Sequence, residues 1–153
     1  GANLCDTHSM SAANADGSSV AAVISAALSE ANLPHTAIAA IKAHGTASLL
    51  NDEAEAAGLL RIFLDSDLPP VCALKPFIGH TLGACGLTEL ILFWQAITNG
   101  FIPATAGIGA DSTVLGISLT QQAQVAASGA YLLNYFGFGG NNTALLIGTE
   151  SSK

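Results

Sequence analysis

Lys75 and His80 stand five positions apart inside A-L-K-P-F-I-G-H-T-L-G-A-C-G, the stretch from Ala73 to Gly86. Lys and Arg together number only four in the chain, so a lysine here is not casual decoration. A second histidine, His44, lies in A-H-G-T-A-S, and a third polar turn, G-F-G-G-N-N, spans Gly137 to Asn142. Two imidazoles delivered from separate strand ends can donate two hydrogen bonds to one oxygen, or serve as acid and base. Glycine-rich turns offer backbone N–H groups at close range, which suits an oxyanion. A nucleophile is harder to find. Cys5, Cys72 and Cys85 sit in apolar or loop settings, none before a helix beside a cation, and read as small hydrophobes. Taken alone, these residues describe a site that stabilises an electrophile and lacks an attacker.

The elements that must hold these residues follow from periodicity. Residues 1–16 show no sustained period and read as a loop. After Gly17, Val20, Val23, Ile24 and Leu28 make an apolar helical stripe that Ser18 or Ser19 can cap and that Asn32 and Pro34 end. Ala37 to Lys42 reads as a short buried strand, with His44 just beyond it. A second helix follows, capped by Asn51 or Asp52, with acidic residues in its first turn as the helix dipole favours. A loop from Asp65 to Pro70 leads to a short strand, Val71 to Leu74. A third helix is expected from about Thr81 to Thr98, stopping at Asn99-Gly100. Phe101 to Thr113 reads as a Gly-, Ala- and Pro-rich connection. Ala130 to Phe136 and Thr143 to Gly148 read as a terminal hairpin. Helices alternating with buried strands predict an α/β layered domain. In such sheets functional groups gather beyond the carboxyl ends of strands, where all three polar turns fall.

Composition narrows the function. Half of the residues are apolar and 10% are charged, a thin polar skin for 153 residues. That excess predicts a covering protein surface. The longest apolar run, Ala84 to Ile97, is broken by Glu89 and Gln95 and is too short to span a membrane, and no secretory signal opens the chain. A formal charge of −7 with no basic stripe argues against nucleic acid. Three cysteines without a C-x-x-C pair suggest neither a disulfide framework nor zinc, and fit a reducing cytoplasm. No histidine pair has ligand spacing, so no metal site is expected.

Four segments carry a resemblance. K-A-H-G-T-A-S-L-L-N-D-E-A-E resembles the A-H-G-T-x-T-x-x-x-D-x-x-E segment of the β-ketoacyl-acyl-carrier-protein synthases, members of the thiolase superfamily. K-P-F-I-G-H-T-L-G-A-C-G-L-T-E is similar to their K-x-x-x-G-H-x-x-G-A-A-G-x-x-E, and N-Y-F-G-F-G-G-N-N to their N-S-F-G-F-G-G-T-N. The opening D-T-H-S-M-S-A-A-N-A-D-G tracks D-A-Y-H-M-T-A-P-x-x-x-G. The segments occur in the family's order and correspond to its C-terminal half.

The resemblance implies a thiolase-like layered half-domain over residues 1–153, with a mixed, mainly buried sheet, helices packed on it and a C-terminal β-hairpin. It supplies the attacker as a cysteine of an N-terminal half that this sequence lacks. By position, His44 and His80 match the two histidines that bind the malonyl thioester carbonyl and promote decarboxylation. Lys75 matches the family lysine, Glu89 its acidic partner, and Glu55 the supporting glutamate of the first motif. Thr46 and Ser48 match hydroxyl residues that contact the phosphopantetheine arm of acyl carrier protein, the carrier of the substrate; no covalently bound cofactor is implied. Phe138 matches a gating phenylalanine whose N–H helps form an oxyanion hole, with Gly139 beside it. The implied partners are acyl carrier protein, the N-terminal half and a homodimer or heterodimer mate. The fragment alone would be inactive. A noncatalytic chain-length-factor subunit and a scaffold-only assembly module are the alternatives. Pro76, Phe77, Ala47, Leu49, Leu50 and Asn141 depart from the family text, and none of them removes a catalytic side chain.

Overall fold

The computed structural model describes residues 1–6, 8–9, 14–63, 68–109 and 113–149. Its centre is a five-stranded sheet in the order β1-β9-β8-β2-β3. These strands are β1 (Ala2–Cys5), β2 (Ile38–Lys42), β3 (Val71–Cys72), β8 (Gly129–Gly137) and β9 (Asn141–Thr149). β2 runs parallel to both β3 and β8, whereas β9 is antiparallel to β8 and to β1. The smaller strands are β4 (Phe101–Ile102), β5 (Thr113–Val114), β6 (Ile117–Ser118) and β7 (Gln124–Val125); β4 pairs with β7 and β5 with β6.

Strand alternation sends neighbouring residues to opposite faces, and both faces are covered. On one face Ile41 and Leu132 pack with α1 (Ser18–Ala31) and α2 (Leu49–Ile62), through Val20, Val23, Ile24 and Leu59. On the other, Ala40, Tyr131 and Leu133 pack with Phe93 and Ile97 of α4 (Cys85–Thr98). The α/β layered architecture and the terminal hairpin are therefore as the periodicity predicts.

Several local expectations are corrected. The stretch read as an opening loop contains β1, an edge strand exposed over most of its length and set by its pairing with β9 rather than by an apolar pattern. Residues 7 and 10–13, the middle of the fourth resembling segment, lie outside the described residues. Gly17, at φ 72°, precedes α1 in place of a serine cap, and the Ser18 N–H bonds Asp16 Oδ1 at 2.8 Å. α2 begins after Ser48, so Asn51 and Asp52 sit inside its first turn, and the Asp52 N–H donates to the Ser48 carbonyl at 2.9 Å.

The third expected helix arrives in pieces. A short helix, α3 (Lys75–Ile78), has Pro76 in its first turn, where a missing N–H costs nothing. Gly79, at φ 73°, breaks the chain there, and a 3₁₀ turn at Leu82–Ala84 leads into α4. α4 ends at Asn99 before Gly100, as expected. β4 falls inside the stretch read as a connection; it gains its order from β7, which no two-residue pattern reveals. Part of that connection (110–112) and of the 65–70 loop lie outside the described residues. No helix among the described residues is long and apolar enough to cross a membrane.

Candidate functional site

The three parallel neighbours β2, β3 and β8 all end at the same side of the sheet, so the turns beyond them meet. His44 follows β2, Lys75 opens α3 just past β3, and Phe138 tips the turn after β8. His44 and His80 lie side by side, ring centroids 5.6 Å apart and nearly perpendicular at 86°. They border a cavity of about 570 Å³ whose lining includes Thr46, Ser48, Phe136 and Phe138. Gly83 and Gly140 also reach it, whereas Gly139 does not line it.

Hydrogen bonds decide which ring nitrogens are free. The Phe136 N–H donates to His44 Nδ1 at 3.3 Å, and the Lys75 ammonium stands 3.4 Å from the same atom. The Leu82 N–H donates to His80 Nδ1 at 3.1 Å. A neutral imidazole that accepts at Nδ1 carries its proton on Nε2. Burial first, and then the Lys75 and Lys42 cations, hold His44 down at about 3, so its ring is neutral.

Two buried carboxylates brace His44. Glu55, on α2, takes the His44 N–H at 2.8 Å, the Gly45 N–H at 3.0 Å and Asn134 Nδ2 at 3.1 Å. It fastens the backbone rather than the ring, and burial pushes its carboxyl above the usual range. Gly45 bends the chain there at φ 50°; a Cβ on it would come within 2.8 Å of the Ala73 Cβ. Glu89, on α4, meets Lys75 at 2.7 Å through Oε1 and Lys42 through Oε2. Burial opposes its charge, yet the two lysines hold its carboxyl below the usual range. Lys75 also donates to the His44 carbonyl.

The remaining residues are arranged less tightly. The Thr46 hydroxyl is shielded from solvent and has no protein partner among the described residues, whereas Ser48 is exposed. Phe138 is 79% exposed, its carbonyl accepting Asn141 Nδ2 at 3.2 Å. Gly140, at φ 75°, anchors this turn to the strand edge: the Asp6 N–H donates to its carbonyl at 2.8 Å. A Cβ there would fall 1.8 Å from the Asp6 carbonyl oxygen. Arg61, expected to be the best local contact for an acidic carrier, is bonded to the Asp16 carbonyl at 2.8 Å. No group of three metal-ligating side chains converges among the described residues.

Four contributors escaped the sequence reading as site residues: Lys42, Cys85, Asn134 and Tyr135. Lys42 had a visible signal, since a charge closing the apolar run I-A-A-I-K must be paired if that strand is buried. The other three look like ordinary strand and helix residues until the fold brings them to Glu89 and Glu55. Cys72 is pushed up to about 12 by burial, and Cys85 is raised by burial and by Glu89, so neither is a ready nucleophile.

Residues 1–109 match the family described as "Beta-ketoacyl synthase, C-terminal domain". The chain belongs to the β-ketoacyl synthase family. This synthase domain is 31% identical over 146 residues to the chloroplastic 3-oxoacyl-[acyl-carrier-protein] synthase I of Arabidopsis thaliana, covering 95% of this chain and 31% of that one. The ishigamide ketosynthase/chain length factor superposes with a TM-score of 0.85 at 32% identity, covering 98% of this chain and 37% of that one. A ketosynthase in complex with its chain length factor from Xenorhabdus doucetiae gives 0.84 at 34%, covering 97% and 38%. The synthase domain therefore spans about a third of the length of the relatives it matches, and its layers are those of the thiolase-like ketosynthases.

Proposed function

We propose that these 153 residues form the C-terminal half of a 3-oxoacyl-[acyl-carrier-protein] synthase of fatty-acid or polyketide synthesis. The whole protein performs a decarboxylative Claisen condensation between an acyl thioester and malonyl-acyl-carrier protein. An N-terminal half supplies the cysteine that holds the acyl chain. The observation that carries this reading is the neighbouring pair of imidazoles, each accepting at Nδ1 and so presenting an Nε2–H.

In the proposed reaction His44 and His80 donate to the carbonyl oxygen of the malonyl thioester. Cleavage of the bond to the carboxylate releases CO2 and leaves its electron pair as an enolate, whose oxygen both donors stabilise. The enolate carbon attacks the acyl-cysteine carbonyl, and the new carbon–carbon bond forms as the cysteine thiolate departs. The Phe138 turn, with Gly139, gates the cavity and offers the N–H for the second oxyanion. Thr46, whose hydroxyl lacks a protein partner, and Ser48 bind the phosphopantetheine arm. Lys75 and Glu89 hold the charge balance beside His44, and Glu55 holds its backbone.

The exposed outer face of α4 (Leu87, Ile91 and Trp94) supports a covering N-terminal half and a dimer mate. With Arg61 engaged by Asp16, carrier protein docks mainly on those partners. Three unpaired thiols fit a reducing cytoplasm. The chain-length-factor alternative draws on the solved ketosynthase/chain-length-factor relatives; retention of His44, Lys75 and His80 speaks against it. CO2 release from malonyl-carrier protein by the intact protein tests the reading. His44→Ala or His80→Ala is expected to lower the rate by about 10²–10³-fold. An intact protein that never forms an acyl-cysteine on mass spectrometry would instead be a chain-length factor.

A further inference from the structure

No step of the proposed reaction uses Lys42, although it is buried within the site. It closes β2 on the α4 side of the sheet and is fully shielded from solvent. Its ammonium donates to Glu89 Oε2 and to the Asn134 carbonyl at 2.9 Å, and lies 3.8 Å from the centre of the Tyr135 ring. The other oxygen, Glu89 Oε1, takes Lys75 at 2.7 Å and the Cys85 thiol at 3.1 Å. One carboxylate is thus shared by two buried ammonium groups. A structural ion pair needs one cation per carboxylate, and a second buried cation is costly to fold around. Tyr135 and Cys85, which stand where the resembling segments have Ser and Ala, accommodate it: an aromatic face receives the cation, and a thiol adds a donor to the carboxylate.

We propose that Lys42 is a positioning residue for the thioester site: by occupying Glu89 Oε2 it confines Lys75 to Oε1, which leaves the Lys75 ammonium on the His44 carbonyl and beside His44 Nδ1. Without Lys42, both oxygens of Glu89 draw Lys75 away from His44. The groups that face His44 are Lys42 from β2, Lys75 from α3, Glu89 from α4 and His80 from the following turn. α2 contributes Glu55 at its backbone, and β8 brings Asn134, Tyr135 and the Phe136 N–H. Two cations against one neighbouring carboxylate oppose an imidazolium. Removing Lys42 levels that balance and lets His44 protonate at higher pH.

This inference rests on the synthase reading for its catalytic consequence, and its test separates the two. In the intact protein, Lys42→Met and Lys42→Gln are compared with the unaltered chain. Deuterium exchange at the His44 ring carbon, read by mass spectrometry across about pH 3–8, requires no activity. The midpoint is expected to rise by about one pH unit in both variants. The kcat of malonyl-thioester decarboxylation is expected to fall about 10-fold or more, with KM changed by less than about twofold. Lys42→Gln keeps the side chain's length and a donor, so it carries the test if the methionine variant fails to fold. An unmoved His44 midpoint, or an unmoved kcat in an active protein, overturns the positioning role and leaves Lys42 structural. A shifted midpoint in a protein that releases no CO2 upholds the positioning and sinks the synthase reading.

Discussion

Glu55 and Glu89 are two buried carboxylates on opposite sides of the same histidine, and they are satisfied in opposite ways. Glu55 comes from α2 and is met by two backbone N–H groups and one amide, with no cation bonded to it. Glu89 comes from α4 and is met by two lysines and a thiol. The first arrangement fixes where the chain goes, since its donors are the backbone of His44 and Gly45. The second fixes a charge, since it decides how many cations stand beside the His44 ring. Burial alone raises both carboxyls; only the lysines reverse the sign for Glu89. A buried acid can therefore serve shape or electrostatics, and its partners tell which.

Glu89→Gln is the severest break in this comparison. It strands two buried ammonium groups without a counter-charge and is expected to cost about 3–5 kcal/mol of folding stability, measured by denaturant titration of the intact protein. Glu55→Gln leaves one carbonyl oxygen for three donors. The expected loss is about 1–3 kcal/mol, by the same titration.

The two sides should also differ in the sign of their pH dependence. The folded-state pKa of Glu89 is depressed, so its stabilisation is present above the ordinary value of 4.5 and disappears as pH falls through the lowered folded value. The folded-state pKa of Glu55 is raised, so its contribution is complete below 4.5 and disappears as pH rises through the raised value. Stability differences between the unaltered chain and each Gln variant, followed across the acid range, should slope in opposite directions. Parallel slopes would erase the distinction drawn between the two carboxylates. The smallest effect belongs to Tyr135→Phe. The Tyr135 hydroxyl is shielded and has no partner among the described residues, while the ring beneath Lys42 remains. A change within about 0.5 kcal/mol is expected on thermal melting.

The same contrast explains what could be read in advance. The Glu55 side was largely legible, because A-H-G-T followed by a helix carrying Glu55 is a local pattern: strand end, tight turn, returning helix. The meeting of His44 and His80 followed from three polar turns at parallel strand ends, together with the family resemblance. The Glu89 side was legible only in part. Lys75 and Glu89 could be matched to motifs, but Lys42, Cys85 and Tyr135 reach Glu89 through packing between β2, β8 and α4, which no local period encodes. β1 and β4 escaped for a related reason. Each owes its order to a partner far along the chain, Ala144 for Ala2 and Val125 for Phe101. The α2 cap was misplaced because the turn before the helix is held through Gly45 and Ser48, while Asn51 and Asp52 look equally able to begin it.

The account depends on both histidines offering Nε2–H to a single oxygen. Its most direct measurement is the nitrogen-15 spectrum of histidine-labelled intact protein bound to a stable malonyl-thioester analogue. Both rings should be neutral and protonated at Nε2, with both Nε2–H resonances shifted when the analogue binds. A proton on Nδ1 of either ring, or a shift at one ring only, would contradict it.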